Sequence, residues 1–291
     1  MEKCDFLCYN DVNMNFGDEM SYKNILDMHI HSDSSPDAHH SVSLLCEHAV
    51  KRGVRGVAIT DHCECNAFYR DGYNITYVQS LFETAKARTI FEGQLTVLLG
   101  VELGQPTLDI NIANKIVSRS SLDFVLASMH NLRDRQDFYH LDYKKAENDP
   151  KILLREYFDE LIATVKWGDF DSLAHLTYPL RYITGRDGIE VDLKEYDEQI
   201  NFVFKGLIES GKALEINTSG LRDALNATLP EFELVKRFRD MGGEFITIGS
   251  DAHSAGNVGD GIDIAMTMAK DAGFEHITLY KQRTPVPISI K

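Results

Sequence analysis

The sequence predicts a single-domain α/β protein closed into a barrel. Short apolar runs alternate with helical patterns along its 291 residues. Seven such runs can be counted, and each leads into a polar residue of a metal-binding or catalytic type. Strands alternating with helices imply parallel βαβ units. Periodicity does not choose between a barrel and a doubly wound sheet. The recurrence of the polar residues favours the barrel, because a closed barrel brings the C-terminal ends of all its strands to one mouth.

The expected strands are ILDMHI (25–30), GVAIT (56–60), LTVLLGV (95–101), DFVLAS (123–128), DSLA (171–174), KALEI (212–216) and EFITIG (244–249). In the same order they lead into His29 and His31, Asp61 and His62, Glu102, His130, His175, Glu215 to Asn217, and Asp251 with His253. Helical spacing of apolar residues marks SLLCEHAVKRG (43–53), which Gly53 is placed to end. Similar patterns run over 78–91, 153–166, 195–211 and 229–243, the last with Pro230 near its start and Gly242 near its end. No repeat, low-complexity tract or linker divides the chain. The organisation read is an N-terminal extension (1–24) followed by one barrel domain (25–291).

Composition sets the outer limits. No apolar stretch reaches the length of a membrane span, and the acidic N-terminus lacks the apolar core of a signal peptide. The five cysteines, Cys4, Cys8, Cys46, Cys63 and Cys65, are odd in number and irregularly spaced. That argues against a disulfide framework and for a reducing, cytoplasmic setting. The formal net charge is −15, with no Lys/Arg block. A nucleic-acid partner is therefore not expected, nor is a membrane, while homo-oligomerisation stays open. An anionic substrate stays possible if metal ions or a few arginines draw it in locally.

The polar residues suggest what the mouth does. Side chains at i and i+2 of a strand point the same way, so His29 and His31 can grip one ion together. The same parity joins Asp251 to His253. Taken singly these motifs are weak: Asp61 could be a helix N-cap, and Glu102 beside Gly104 could face solvent. Together they imply a metal site. His39, His40, His48, His140 and His276 read as ordinary polar residues, with His39 and His140 near enough to the motifs to touch a substrate.

In order, DMHIHSDSSPDA, AITDH, GVELG, ASMHN, LAHLTYP and GSDAHS resemble the motifs of the PHP (polymerase and histidinol phosphatase) superfamily, from about Leu26 onward. LEINTSGLR (214–222), LRYI (180–183) and YKQRTPVPI carry a narrower likeness to its monofunctional histidinol-phosphate phosphatases. The resemblance implies a distorted (β/α)7 barrel and a trinuclear site. By it, His29, His31, Glu102 and Asp251 hold one ion, and Glu102 bridges to a second completed by His130 and His175. Asp37, His62 and His253 hold the third, while Asp27 and Asp61 orient neighbouring histidines. The activity implied is hydrolysis of histidinol phosphate to histidinol and phosphate, in histidine biosynthesis.

A mixed nitrogen and oxygen donor set suits Zn, Mn or Fe. Three divalent ions against three carboxylates leave about +3, enough to attract a phosphate dianion to an acidic chain. A hydroxide between two ions is then the expected nucleophile, with Glu102, Asp251 and His253 as catalytic candidates. Arg181 and Arg222, in the segments of narrower likeness, are candidates for the phosphate. Glu64, Tyr69 and Tyr178 are candidates for the amine and imidazole of the leaving group. The rival readings are a phosphoesterase of the same scaffold acting on a diester, nucleotide or phosphotyrosine, an amidohydrolase, and a non-catalytic metal-binding module. The amidohydrolase reading would want a bridging Lys after the fourth strand, where Ser128-Met129-His130 stands.

Overall fold

The computed structural model describes residues 22–290. Its first half runs β1 (Leu26–Ile30), α1 (Val42–Lys51), β2 (Gly56–Ile59), β3 (His62–Glu64), α2 (Tyr73–Ile90), β4 (Thr96–Gly104), α3 (Ile110–Val117) and β5 (Phe124–Ser128). It continues with α4 (Pro150–Trp167), β6 (Ser172–Leu173), α5 (Asp197–Glu209), β7 (Ala213–Asn217), α6 (Phe232–Asp240), β8 (Ile246–Gly249), α7 (Ile262–Asp271), β9 (His276–Lys281) and β10 (Thr284–Ser289). The parallel order β1-β2-β4-β5-β6-β7-β8 matches the seven expected strands, and their residues are buried along nearly their whole length. Strands covered on both faces need apolar side chains throughout, so these runs do not alternate.

The ring closes between β8 and β1 without a regular ladder. Two backbone-to-backbone hydrogen bonds join them instead: Asp251 N to His29 O at 2.7 Å and His31 N to Ala252 O at 2.9 Å. The closure therefore passes through candidate site residues. Strand β4 is long enough to serve two neighbours. Its first half pairs with β2, and its second half pairs with β3, putting His62 in register with Glu102.

Two helices and a hairpin go beyond the sequence reading. The eight-residue α3 is short, with Asp109 as its N-cap. Helix α7 ends at Asp271, and His276 opens β9. The β9–β10 hairpin turns at Gln282 and Arg283, both with positive φ. Asn-Gly is the usual signal for such a turn, and Pro285 and Pro287 argue against a strand, which is why the pattern escapes notice. Pro287 and Pro285 are tolerated because β10 is an edge strand. The helix expected from 229 starts at Phe232, after a cis Leu229–Pro230 peptide.

The hairpin seals the N-terminal end of the barrel. Gln282 N and Arg283 N donate to Asp123 Oδ1 and O, Arg283 Nε reaches Asp171 Oδ2 at 2.9 Å, and Tyr280 Oη donates to Asp171 O. Of the expected extension, residues 1–21 lie outside the described residues. Tyr22 and Asn24 pack onto the barrel, at Thr267 and Ser289. Among the described residues no helix is long and apolar enough to cross a membrane.

Candidate metal centre

The mouth opposite the hairpin holds the nine expected ligands around one carboxylate. Glu102 leaves β4 fully buried. Its Oε2 faces His29 Nε2 at 3.5 Å and His31 Nε2 at 3.6 Å. Asp251 Oδ1 completes that group, 3.3 Å from His31 Nε2 and 3.6 Å from His29 Nε2. On the other side Glu102 Oε1 lies 3.0 Å from both His130 Nε2 and His175 Nε2. A third group gathers at the rim, where Asp37 Oδ2 lies 3.2 Å from His253 Nε2 and 3.6 Å from His62 Nε2. Four-coordinate ions with bonds of about 2.1 Å hold their ligands about 3.4 Å apart. The spacings match.

The proton inventory points the same way. His29 Nδ1 faces Glu215 Oε1 at 2.8 Å, and His130 Nδ1 faces Glu64 Oε1 at 3.0 Å. His253 Nδ1 donates to the Asp251 carbonyl. Ser35 Oγ donates to Asp61 Oδ1, so it accepts from His31 Nδ1 at 3.2 Å. Each partner favours a proton on Nδ1, which in a neutral ring leaves Nε2 bare toward the cluster. His29 Nε2 and His31 Nε2 then meet at 3.0 Å with no proton between them. Glu102 Oε2 is buried with no aligned hydrogen bond, although His62 Nδ1 crowds it at 2.8 Å. Bare nitrogens and carboxylate oxygens turned on one another are a poor arrangement for the protein alone and a good one around cations.

The electrostatics record that strain. Burial, with the His253 and His62 rings alongside, pushes His31 down to about 3. Burial would also lower His130, but Glu102 and Glu64 push it up to about 10. Burial would raise Glu102, yet His130, His62 and His29 hold it well below the usual carboxylate range. One group of histidines is charged at the expense of another, which divalent ions would relieve.

The second ring of residues differs from expectation. Asp27 and Asp61 do not touch the histidine rings. Asp27 accepts from Ser250 N and Oγ and Gly259 N, fixing the loop after β8. Asp61 collects Ser32, Ser35 and Ser80 and reaches His31 only through Ser35. The direct contacts come from Glu64 and Glu215, the latter also accepting from His175 N at 2.8 Å. Glu215 carried a signal in the sequence, a lone carboxylate inside an apolar, doubly covered strand. Two motif glycines make room for these acids. A Cβ on Gly104 would stand 2.0 Å from Glu64 Oε2, and one on Gly249 would stand 2.3 Å from the His29 Cβ.

Arg181 lies where expected, lining the cleft, with its guanidinium on Ser219 Oγ, Asp251 Oδ2 and Asp223. Arg222 is placed differently from Arg181. It does not line the cleft, and its Nη2 donates to the Ser250 carbonyl at 2.7 Å and the Asp251 carbonyl at 3.3 Å. Asp251 sits at φ 54°, a conformation a non-glycine residue rarely adopts, so Arg222 clamps both sides of a strained ligand. Of the leaving-group candidates, Tyr178 and Glu64 line the cleft, while Tyr69 lies outside it, on Lys115. Glu64 is already engaged with His130 and His62. His140 also lines the cleft; His39 does not. The described cysteines, Cys46, Cys63 and Cys65, are free and buried, and none joins the cluster.

The cleft above the cluster encloses about 1250 Å³. Comparison with known proteins places it in context. Residues 27–219 match the PHP domain. The chain is 28% identical over 262 residues to a probable histidinol-phosphatase of Clostridium acetobutylicum, covering 89% of this chain and 98% of that one. It is 26% identical over 260 residues to a histidinol-phosphatase of Lactococcus lactis, covering 88% and 94%. Its fold aligns, with a TM-score of 0.73 and 25% identity, to the crystal structure of histidinol phosphate phosphatase from Lactococcus lactis complexed with Zn, L-histidinol and phosphate. That alignment covers 90% of this chain and 99% of the solved one. With the domain match spanning most of the barrel, the chain belongs to the PHP domain family.

Proposed function

We propose that this protein is a metal-dependent phosphomonoesterase that hydrolyses L-histidinol phosphate to L-histidinol and phosphate. The observation that carries the reading is Glu102, whose two oxygens face two separate sets of bare histidine nitrogens at the floor of the cleft. The relatives named histidinol-phosphatase, and the similar fold with Zn, L-histidinol and phosphate bound, support the substrate.

Three ions are proposed, in the groups described, with Zn, Mn or Fe suited to the donors. When bound, such ions supply Lewis acidity and lower the pKa of a bound water toward neutrality. The chain's own residues do the positioning. Arg181, anchored on Asp251 and Ser219, presents its guanidinium to the phosphate from the cleft wall. In hydrolysis a water oxygen bonds to phosphorus as the ester P–O bond breaks, and the leaving alkoxide takes a proton. His253 has Nδ1 on a carbonyl and Nε2 at Asp37, and Asp251 has both oxygens engaged. Neither is free to supply that proton once ligating, so it comes from solvent in the cleft. The free, buried cysteines are consistent with a reducing, cytoplasmic setting.

The test is phosphate release from histidinol phosphate beside other phosphomonoesters and one diester, with Zn or Mn supplied. Preference for histidinol phosphate, abolished by chelation, with about three ions per chain by elemental analysis, is the expected result. Turnover of other esters alone would discard the substrate and keep the phosphoesterase.

A further inference from the structure

Beyond the metal cluster, one wall of the cleft is built by the loop between β5 and α4, through Asn131, Arg133, Asp134, Asp137, Tyr139 and His140. This loop is held in place before any substrate arrives. Phe138 is buried with its ring against Tyr157 and Tyr178. Its N donates to His130 O and its O accepts from Tyr143 Oη. Arg186 clamps the carbonyls of Tyr139 and Leu141 from the opposite segment.

Within this wall Asp137 is set apart. Its Oδ1 accepts from Tyr139 N at 2.7 Å and from Tyr178 Oη at 3.1 Å. Its Oδ2 has no protein partner among the described residues. The Tyr178 ring lies 5.0 Å from His130 and 4.9 Å from His175, so a single side chain separates Asp137 from the Glu102 group. The other cleft carboxylates are differently placed. Asp71 is paired with Arg70, Asp109 caps α3, Asp134 is exposed, and Glu64 holds the histidines. Tyr139, largely exposed, stands beyond Asp137 with its ring edge-on to Tyr182.

We infer that Asp137 Oδ2 receives the ammonium group of the leaving alcohol, with the Tyr139 ring flanking the planar group beyond it. This rests on the phosphomonoesterase reading and adds the residue that selects among esters. An ammonium two carbons from the ester oxygen lies roughly 5 Å from phosphorus. From a phosphate at the cluster it extends toward the wall that Tyr178 joins to the His130 and His175 rings. A fixed, half-buried carboxylate with one open oxygen binds such a cation through a charge-assisted hydrogen bond. An ester without the amine leaves that oxygen desolvated and unpaired.

The experiment compares histidinol phosphate with its deamino counterpart at pH 7.5, in the zinc-loaded wild type and in Asp137→Asn. Asparagine keeps the Oδ1 acceptor for Tyr139 and Tyr178 and removes the charge. The expected result is a wild-type preference in kcat/KM for the amine-bearing ester that shrinks about tenfold to hundredfold in the variant, with zinc content retained. A preference of the same size in both proteins overturns the inference. So does a wild type that hydrolyses both esters equally, which leaves the phosphomonoesterase standing. A wild type that hydrolyses neither overturns the reading beneath it. Should Asp137→Asn fail to fold, a crystal structure of the wild type with zinc, phosphate and L-histidinol decides. The amine within hydrogen-bond distance of Asp137 Oδ2 supports the inference, and the amine elsewhere overturns it.

Discussion

At the closed end of the barrel Asp123 and Asp171 are buried against Arg88 and Arg283; at the open end Glu102 and Asp251 are buried among histidines. The closed end is complete as it stands. Asp123 also accepts from Leu99 N and Gln282 N, and Asp171 from Val125 N, so each buried charge has a cation and hydrogen bonds. The open end has no comparable supply. Among the described residues Arg181 reaches one cluster carboxylate oxygen, Asp251 Oδ2, and Arg222 reaches only the Ser250 and Asp251 backbone carbonyls. The rest must share protons among crowded rings, or share metal ions. The difference separates a site built to hold the fold from one built to hold something else.

Removing the central carboxylate should break the open end most severely. Glu102→Ala takes one oxygen from each of two ion groups. Turnover should fall about a thousandfold or more, and elemental analysis should find fewer ions per chain. Full activity with full metal content would remove Glu102 from the centre.

The closed end should respond in stability instead. Arg283→Ala leaves the buried Asp171 without its cation and should cost about 3 kcal/mol, with metal content unchanged. The cost should depend on pH. Burial pushes the Asp171 carboxyl up to about 6 from its ordinary 3.8, with Arg283 pulling the other way. A carboxyl raised in the folded chain contributes most below its unfolded pKa, and that contribution is lost as pH rises through the folded one. Without Arg283 the folded pKa climbs further. Denaturation should therefore show a larger deficit at pH 8 than at pH 5. An equal or smaller deficit at pH 8 would break the pairing of Asp171 with Arg283.

The mildest test sharpens the contrast inside the mouth itself. Glu215→Gln keeps the shape beside His29 but lets the amide present a hydrogen to Nδ1, loosening the tautomer. Zinc affinity, measured by competition with a chelator, should drop about tenfold to hundredfold. Unchanged affinity would make Glu215 a packing residue.

Much of this was legible before the fold was known. The seven strands announce themselves because doubly covered strands are largely apolar, and most of the ligand candidates stand at their ends, while the full set of nine, Asp37 included, came from the resemblance to the PHP family. The hairpin was not legible, since Gln282-Arg283 lacks the residues that favour positive φ and two prolines disguise its edge strand. Sequence places Arg222 beside the mouth but says nothing of which way its guanidinium turns, here onto the Ser250 and Asp251 carbonyls. Asp137 went unnoticed for a related reason: an aspartate in a polar loop looks solvated until Tyr178 and Tyr139 are seen to hold it.

The sequence by itself determined the alternation of strand and helix, and the residue types at each strand end. Those are local properties, set by side-chain chemistry and spacing along one chain. Only the tertiary structure decided that Glu64 and Glu215 rather than Asp61 and Asp27 orient the rings, and that Asp137 faces the cleft. Those depend on strands distant in sequence meeting across a closed barrel, where the register between neighbours, not the order along the chain, sets which atoms touch.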